Sequence, residues 1–376
     1  MLNKKTKSIL RGKRRMKIKK LLSLLAVGVI ATGLFAGCSS SNKESGESTE
    51  KPSTEENQET NGEVEAEKPL EKVTMKVAYH PNMGGASAIT TGIEKGYFEE
   101  QGIDIELVKF TAGPPEVSAM VSGDIDVGYI GHGAHLLACQ GQVKLFALDC
   151  TSLADELLVN KESGITKIED LKGKTIATQL GTSGEVILNL ALESVGLTRD
   201  DVNVVNMEMA GAVTAFVSKQ VDAVSIWSPY TITVRDELGA DNIIRLAGNA
   251  DFIESFVFPS SWVVTEKYAS ENRDLLVRFT KGLLKAMDYR NGNVEESAKL
   301  VAKLIDVEEA TILAATGEGN WLTSKEVYDG CKDGQVEKWY KAQQDLFIKD
   351  GKLEKEVPVT DYFDSSIMIE AYEGLN

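Results

Sequence analysis

The three His residues of this 376-residue chain all stand in Gly-containing loops, His80 in His80-Pro81-Asn82-Met83-Gly84-Gly85 and the other two in Gly131-His132-Gly133-Ala134-His135. An imidazole titrates near neutrality, so His132 or His135 could hydrogen-bond a polar or anionic solute. Zinc is not expected there, because it needs three or four ligands and the i,i+3 pair has no Cys or acidic neighbour in sequence. Asn82, Thr182 and Ser183 offer short polar side chains at expected helix starts, places that plain N-capping would fill with the same residue types. Glu185 falls in the first turn of the next helix, where a carboxylate complements the dipole. Turned into a cleft, it would oppose an anion and favour an amine. Trp227 and Tyr230 could stack on a ring or enclose an alkyl chain, and aromatics at a strand end pack cores just as readily.

These residues need elements to position them, and from residue 73 short β-branched runs alternate with longer amphipathic stretches. That pattern predicts a mainly parallel sheet covered by helices. Strands are expected at 73–79, 103–109, 126–130, 156–160, 175–179, 203–207 and 223–227. Helices are expected at 86–95, 115–122, 185–195 and 212–218. The design strand, Gly-rich loop, helix occurs twice, which predicts two α/β lobes with a cleft between them. In such sheets the ligand sits at the carboxyl ends of the strands, against helix N-termini. No loop has the spacing of a P-loop, no strand is followed by GxGxxG, and no Ser/His/Asp or Cys/His order is selected by spacing. A nucleotide-binding enzyme is therefore not expected, and no cofactor is called for.

The N-terminus reads as an address. Residues 1–37 hold ten Lys and Arg and no acid, and end in an apolar run at 21–35 followed by Ala36-Gly37-Cys38. Fifteen apolar residues are short for a spanning helix and suit a signal peptide. Leu34-Phe35-Ala36-Gly37-Cys38 resembles a bacterial lipobox, which implies cleavage before Cys38 and lipid on its thiol. Met16 begins a complete signal peptide by itself, so it is an alternative start to Met1. Residues 39–72, with ten Glu, four Lys and almost no large apolar side chain, read as a disordered tether. The formal charge of −16 argues against nucleic acid as a partner. Cys139, Cys150 and Cys331 form no CxxC; the first two could pair, or all three could be core thiols.

Four motifs in order carry a family resemblance from about Lys76 to Tyr372. They are Gly92-Ile93-Glu94-Lys95-Gly96-Tyr97-Phe98-Glu99-Glu100-Gln101-Gly102-Ile103, Gly123-Asp124-Ile125-Asp126-Val127-Gly128, Asp170-Leu171-Lys172-Gly173-Lys174, and Gln220-Val221-Asp222-Ala223-Val224-Ser225-Ile226-Trp227-Ser228-Pro229-Tyr230. Together they resemble the nitrate/sulfonate/taurine family of ABC-importer substrate-binding proteins, to which thiamin-pyrimidine synthases are similar. The resemblance implies a type II periplasmic-binding-protein fold, two α/β lobes joined by two crossovers near 155–160 and 258–264. It divides the chain into a signal peptide (1–37), a lipid-anchored tether (38–72), lobe one (73–157 and 260–376) and lobe two (158–259). It also implies a monomer, held by Cys38 lipid on the extracytoplasmic face of the membrane, that closes on a small organic solute and delivers it to permease subunits.

On that fold the cleft would be faced by Asn82, Met83, Gly84, His132, Gly133 and His135 from lobe one. Thr182, Ser183, Glu185, Gly211, Trp227 and Tyr230 would face it from lobe two. Trp321 and Trp339 read as structural members of the C-terminal helical region. No Arg or Lys in these motifs could pair with a sulfonate or nitrate, so zwitterions such as taurine or amine-bearing heterocycles fit at least as well. The alternatives are an enzyme on the same fold and a ligand-sensing receptor.

Overall fold

The computed structural model describes residues 71–375. The lipobox with Cys38, the Met16 start and nearly all of the tether lie outside the described residues. Eleven strands occur among those described: β1 Val73–Tyr79, β2 Ile103–Lys109, β3 Val127–Ile130, β4 Lys144–Ser152, β5 Asp155–Asn160, β6 Thr175–Thr178, β7 Asn203–Asn206, β8 Ala223–Trp227, β9 Ile243–Gly248, β10 Pro259–Val264 and β11 Gly319–Trp321. They form two sheets, one in the order β11-β4-β10-β3-β1-β2 and the other β7-β6-β8-β5-β9. Each sheet is the heart of one lobe. No helix among the described residues is long and apolar enough to cross a membrane.

The expectation of mainly parallel sheets needs correction. β1, β2 and β3 are parallel, as are β6, β7 and β8, because each pair is joined by a returning helix. β10 instead enters the middle of the first sheet antiparallel to both β3 and β4, and β5 enters the second antiparallel to β8 and β9. Both are strands that arrive from the other lobe, so no βαβ turn fixes their direction. The chain changes sheet between Ser152 and Asp155 and again between Gly248 and Pro259. Asp155, Glu156 and Leu157 thus belong to the second sheet and Pro259 to the first, against the expected boundaries at 157/158 and 259/260.

The loops between strands lead into helices α1 Met83–Glu94, α2 Gly113–Ser122, α3 His135–Cys139, α4 Ser183–Ser194, α5 Met209–Val217 and α6 Tyr230–Leu238. Alternation along β5 shows how the second sheet buries both faces. Leu157 and Val159 pack with Leu188 and Leu192 of α4, while Leu158 packs with Met209 and Phe216 of α5. Val186 and Ile187 of α4 join the lobe-one core, so this helix is shared between the lobes.

Inside lobe one, Arg290 and Asp149 are both fully buried and joined at 2.6 Å. Trp262 Nε1 donates to the second carboxylate oxygen at 2.9 Å and Arg290 Nη2 to the Asp149 carbonyl at 3.2 Å. A pair satisfied on so many sides is tolerated in a core, whereas loss of one partner costs about 3–5 kcal/mol. It also pins β4, whose Cys150 and Ser152 line the cleft described next. Cys139, Cys150 and Cys331 are buried and unpaired.

Candidate functional site

The carboxyl ends of β1, β3, β6 and β8 converge on a cavity of about 60 Å³ between the lobes. At about 30 Å³ per water, that volume has room for about two waters. Lobe one supplies its walls from the loop after β1 (His80, Asn82, Met83, Gly84) and the loop after β3 (Gly131, His132, Ala134), together with Tyr129, Glu318 and Trp321. Lobe two adds Asp155 from β5, Thr182 and Ser183 at the start of α4, and Trp227 and Ser228 at the end of β8.

Asn82 has two tasks. Its extended backbone starts α1 while its Oδ1 accepts the Gly85 N–H at 2.8 Å, and its Nδ2 donates across the cleft to the Ser228 carbonyl at 3.1 Å. Capping and inter-lobe contact therefore coexist in one side chain. Thr182 is the N-cap of α4, yet its hydroxyl donates to the Gln179 carbonyl at 2.6 Å rather than to the helix. Ser183 lines the cavity beside it, and Met83 and Gly84 lie at the start of α1.

His132 is fully buried and shares a hydrogen bond of 3.1 Å with Asp155 Oδ2, while its Nδ1 has no partner. His80 is similarly tied to Glu116, at 2.7 Å. Burial pushes the Glu116 carboxyl above its ordinary range, against the opposing pull of His80. Glu318 is pushed up to about 8, chiefly by burial and further by Glu156 and Asp155, with the Ser228 hydroxyl pulling the other way. No Lys or Arg among the described residues belongs to the cavity lining. No group of three His, Cys, Asp or Glu among the described residues is placed to hold a metal ion.

Five of the expected site residues stand outside this lining. His135 is buried against Tyr340, ring centroids 5.4 Å apart, with neither nitrogen hydrogen-bonded. Its pKa is lowered to about 3 by burial and by His132, so the expected near-neutral imidazole is corrected to a neutral core ring. Gly133 is an inter-lobe contact, since a Cβ there would lie 2.1 Å from the Thr182 carbonyl carbon. Glu185 turns away: it accepts the Gly181 N–H at 2.7 Å and pairs with Lys352 and with Arg199, the latter at 3.5 Å. Its charge is thereby used away from the cavity lining, which removes the reason for assigning it an amine. Gly211 lies in α5 with open space about it, and Tyr230 packs edge-on against Trp227 at 6.2 Å.

Trp321, expected to be purely structural, belongs to the cavity wall. Asp155, Glu318 and Tyr129 were also missed. Asp155 could have been noticed as the acid at the first crossover, whereas Glu318 sits in the turn just before β11 with no motif about it.

Comparison with known proteins agrees with this architecture. A family model described as "NMT1/THI5 like" matches residues 86–297. A protein of Brucella abortus (strain 2308), named only as a binding protein, is 34% identical over 293 residues, covering 78% of this chain and 91% of the relative. A Bacillus subtilis (strain 168) protein named for binding aliphatic sulfonates is 29% identical over 287 residues, 74% of this chain and 83% of its own. Among solved structures, the alkanesulfonate-binding protein SsuA from Xanthomonas axonopodis pv. citri bound to MOPS superposes with a TM-score of 0.63. It is 24% identical and covers 79% of this chain and 99% of SsuA, which shows the shared fold. With more than half its length matched by the family model, the chain belongs to the NMT1/THI5-like family.

Proposed function

We propose that the protein is the extracytoplasmic solute-binding component of an ABC importer, which captures a small organic solute between its lobes and delivers it to membrane permease subunits. The observation that carries this reading is the cavity walled by both lobes, with hydrogen bonds such as Asn82 to Ser228 spanning it. A site completed only when the lobes meet couples occupancy to shape, which is what a permease must sense. Relatives named for binding, one of them for aliphatic sulfonates, support the class and a sulfonate-like solute. The lipobox supports a lipid anchor at Cys38 on the outer membrane face.

Capture without turnover is the reading the cavity chemistry favours. The one thiol in the lining, Cys150, is pushed up to about 12, mainly by burial and then by Asp149, so it is not a thiolate at neutral pH. Both imidazoles in the lining are committed to carboxylates.

A thermal-shift screen of taurine, alkanesulfonates, nitrate, bicarbonate and thiamin pyrimidine precursors tests the proposal. A ligand at about 100 times its Kd adds about 2.7 kcal/mol, a rise of several degrees or less for a domain this size. A hit recovered unchanged by mass spectrometry is expected. Chemical conversion of the hit would move the protein to the enzyme class.

A further inference from the structure

Among the described residues the cleft is lined by carboxyl groups and by no Lys or Arg. Asp155 is 1% exposed, and only one of its carboxylate oxygens is used, by His132; Oδ1 faces no hydrogen-bond partner. An ionised carboxylate only accepts, and a buried acceptor without a donor costs about 1–3 kcal/mol. The Asp155 backbone N–H is meanwhile fixed by Asn249 Oδ1 at 2.7 Å, so the first crossover is tied to the second and the side chain is held in place. Glu318 brings a second carboxyl to the same cavity; burial keeps it largely protonated in the empty cleft, and a cation placed beside it would favour its ionised form. Trp227 and Trp321 add aromatic walls, which attract a nitrogen cation through the ring quadrupole.

We propose that this cleft selects a solute bearing a protonated nitrogen, which donates to Asp155 Oδ1 and is further balanced by Glu318, and that it discriminates against solutes that carry only negative charge. The inference rests on the solute-binding reading and names its ligand class. An ammonium, amidinium or guanidinium group would supply both the missing donor and the missing charge. An anionic group elsewhere on the solute is compatible, because the amino ends of α1 and α4 also reach the cavity.

Matched probes separate the two properties. Taurine and isethionate share a sulfonate on a two-carbon chain and differ in ammonium against hydroxyl; methylammonium is a cation without an anion, and nitrate an anion without a cation. Titration calorimetry of the purified protein should find taurine at least about tenfold tighter than isethionate. Methylammonium should bind detectably and nitrate should not. Asp155→Asn should lower taurine affinity at least about tenfold while leaving isethionate unchanged or tighter, and Glu318→Gln should act in the same direction with less effect on folding. Isethionate or nitrate binding as tightly as taurine would overturn the proposal while leaving the solute-binding reading intact. Failure of both amines to bind would also overturn it, as would Asp155→Asn and Glu318→Gln variants, melting like the parent, that keep the parent's affinities. Conversion of a probe to product would instead strike at the binding-protein reading.

Discussion

At the scale of single residues, His135 shows how a chemically suggestive side chain becomes part of a core. Its ordinary pKa is 6.5, and burial with the nearby His132 lowers it to about 3 in the folded protein. The unfolded chain therefore binds a proton below pH 6.5 that the folded chain refuses, so stability is lost as pH falls from about 6.5 towards 3. His135→Phe keeps a ring against Tyr340 and removes two buried nitrogens that have no partner. We expect the variant to match or exceed the parent in urea melts at pH 7. At pH 5 its advantage should grow by about 2 kcal/mol, since each pH unit below 6.5 is worth about 1.4 kcal/mol. A difference that does not change with pH would refute the assignment. Solute affinity should be unaffected, because His135 lies outside the cavity lining.

At the scale of elements, the loop after β3 meets the start of α4 where only glycine fits. A methyl group on Gly133 would have to displace the backbone of Thr182 and Ser183 in the other lobe. Gly133→Ala is thus expected to hold the lobes apart. Affinity for the captured solute should fall at least about tenfold, with the melting temperature of the solute-free protein little changed. An equal loss of both would mean that the residue serves lobe folding rather than closure. The same loops also show how far the sequence could be read. Strands β1, β2 and β8 fall at the expected residues, and the Gly-rich loops after β1, β3 and β6 all reach the cavity. Local periodicity and turn residues encode such elements directly. β10 was not legible, because its partners β3 and β4 lie more than a hundred residues earlier and its direction is set by a crossover from the other lobe. The pairing of Glu185 away from the cavity was hidden for the same reason, its partner Lys352 being remote in sequence. Asp155 and Glu318 acquire their meaning only when two crossovers and a late turn meet, a coincidence that no local pattern carries.

At the scale of the whole molecule, the field of the protein points the same way as its cleft. From residue 73 onward the chain carries 27 Lys and Arg against 47 Asp and Glu, a formal charge of −20. Much of this charge is solvated on surface ion pairs and contributes little to stability, yet its sum extends to about a Debye length, roughly 10 Å at 0.1 M salt. An acidic body raises the local concentration of cations and lowers that of anions before any contact is made. Capture of a monocationic amine should therefore slow as salt is added. Trp227 and Trp321 line the cavity and provide a fluorescence signal for stopped-flow mixing. Between about 10 and 300 mM salt, the association rate constant for a monocation is expected to fall about threefold, with dissociation much less affected. A zwitterion, having no net charge, should show almost no dependence, and a monoanionic sulfonate should associate faster as salt rises. These three slopes measure the field alone, independently of the contacts made by Asp155. A monocation whose association rate ignores salt would show that the surface charge is too dispersed to act at the cleft, and selection would then rest on the buried carboxylates by themselves.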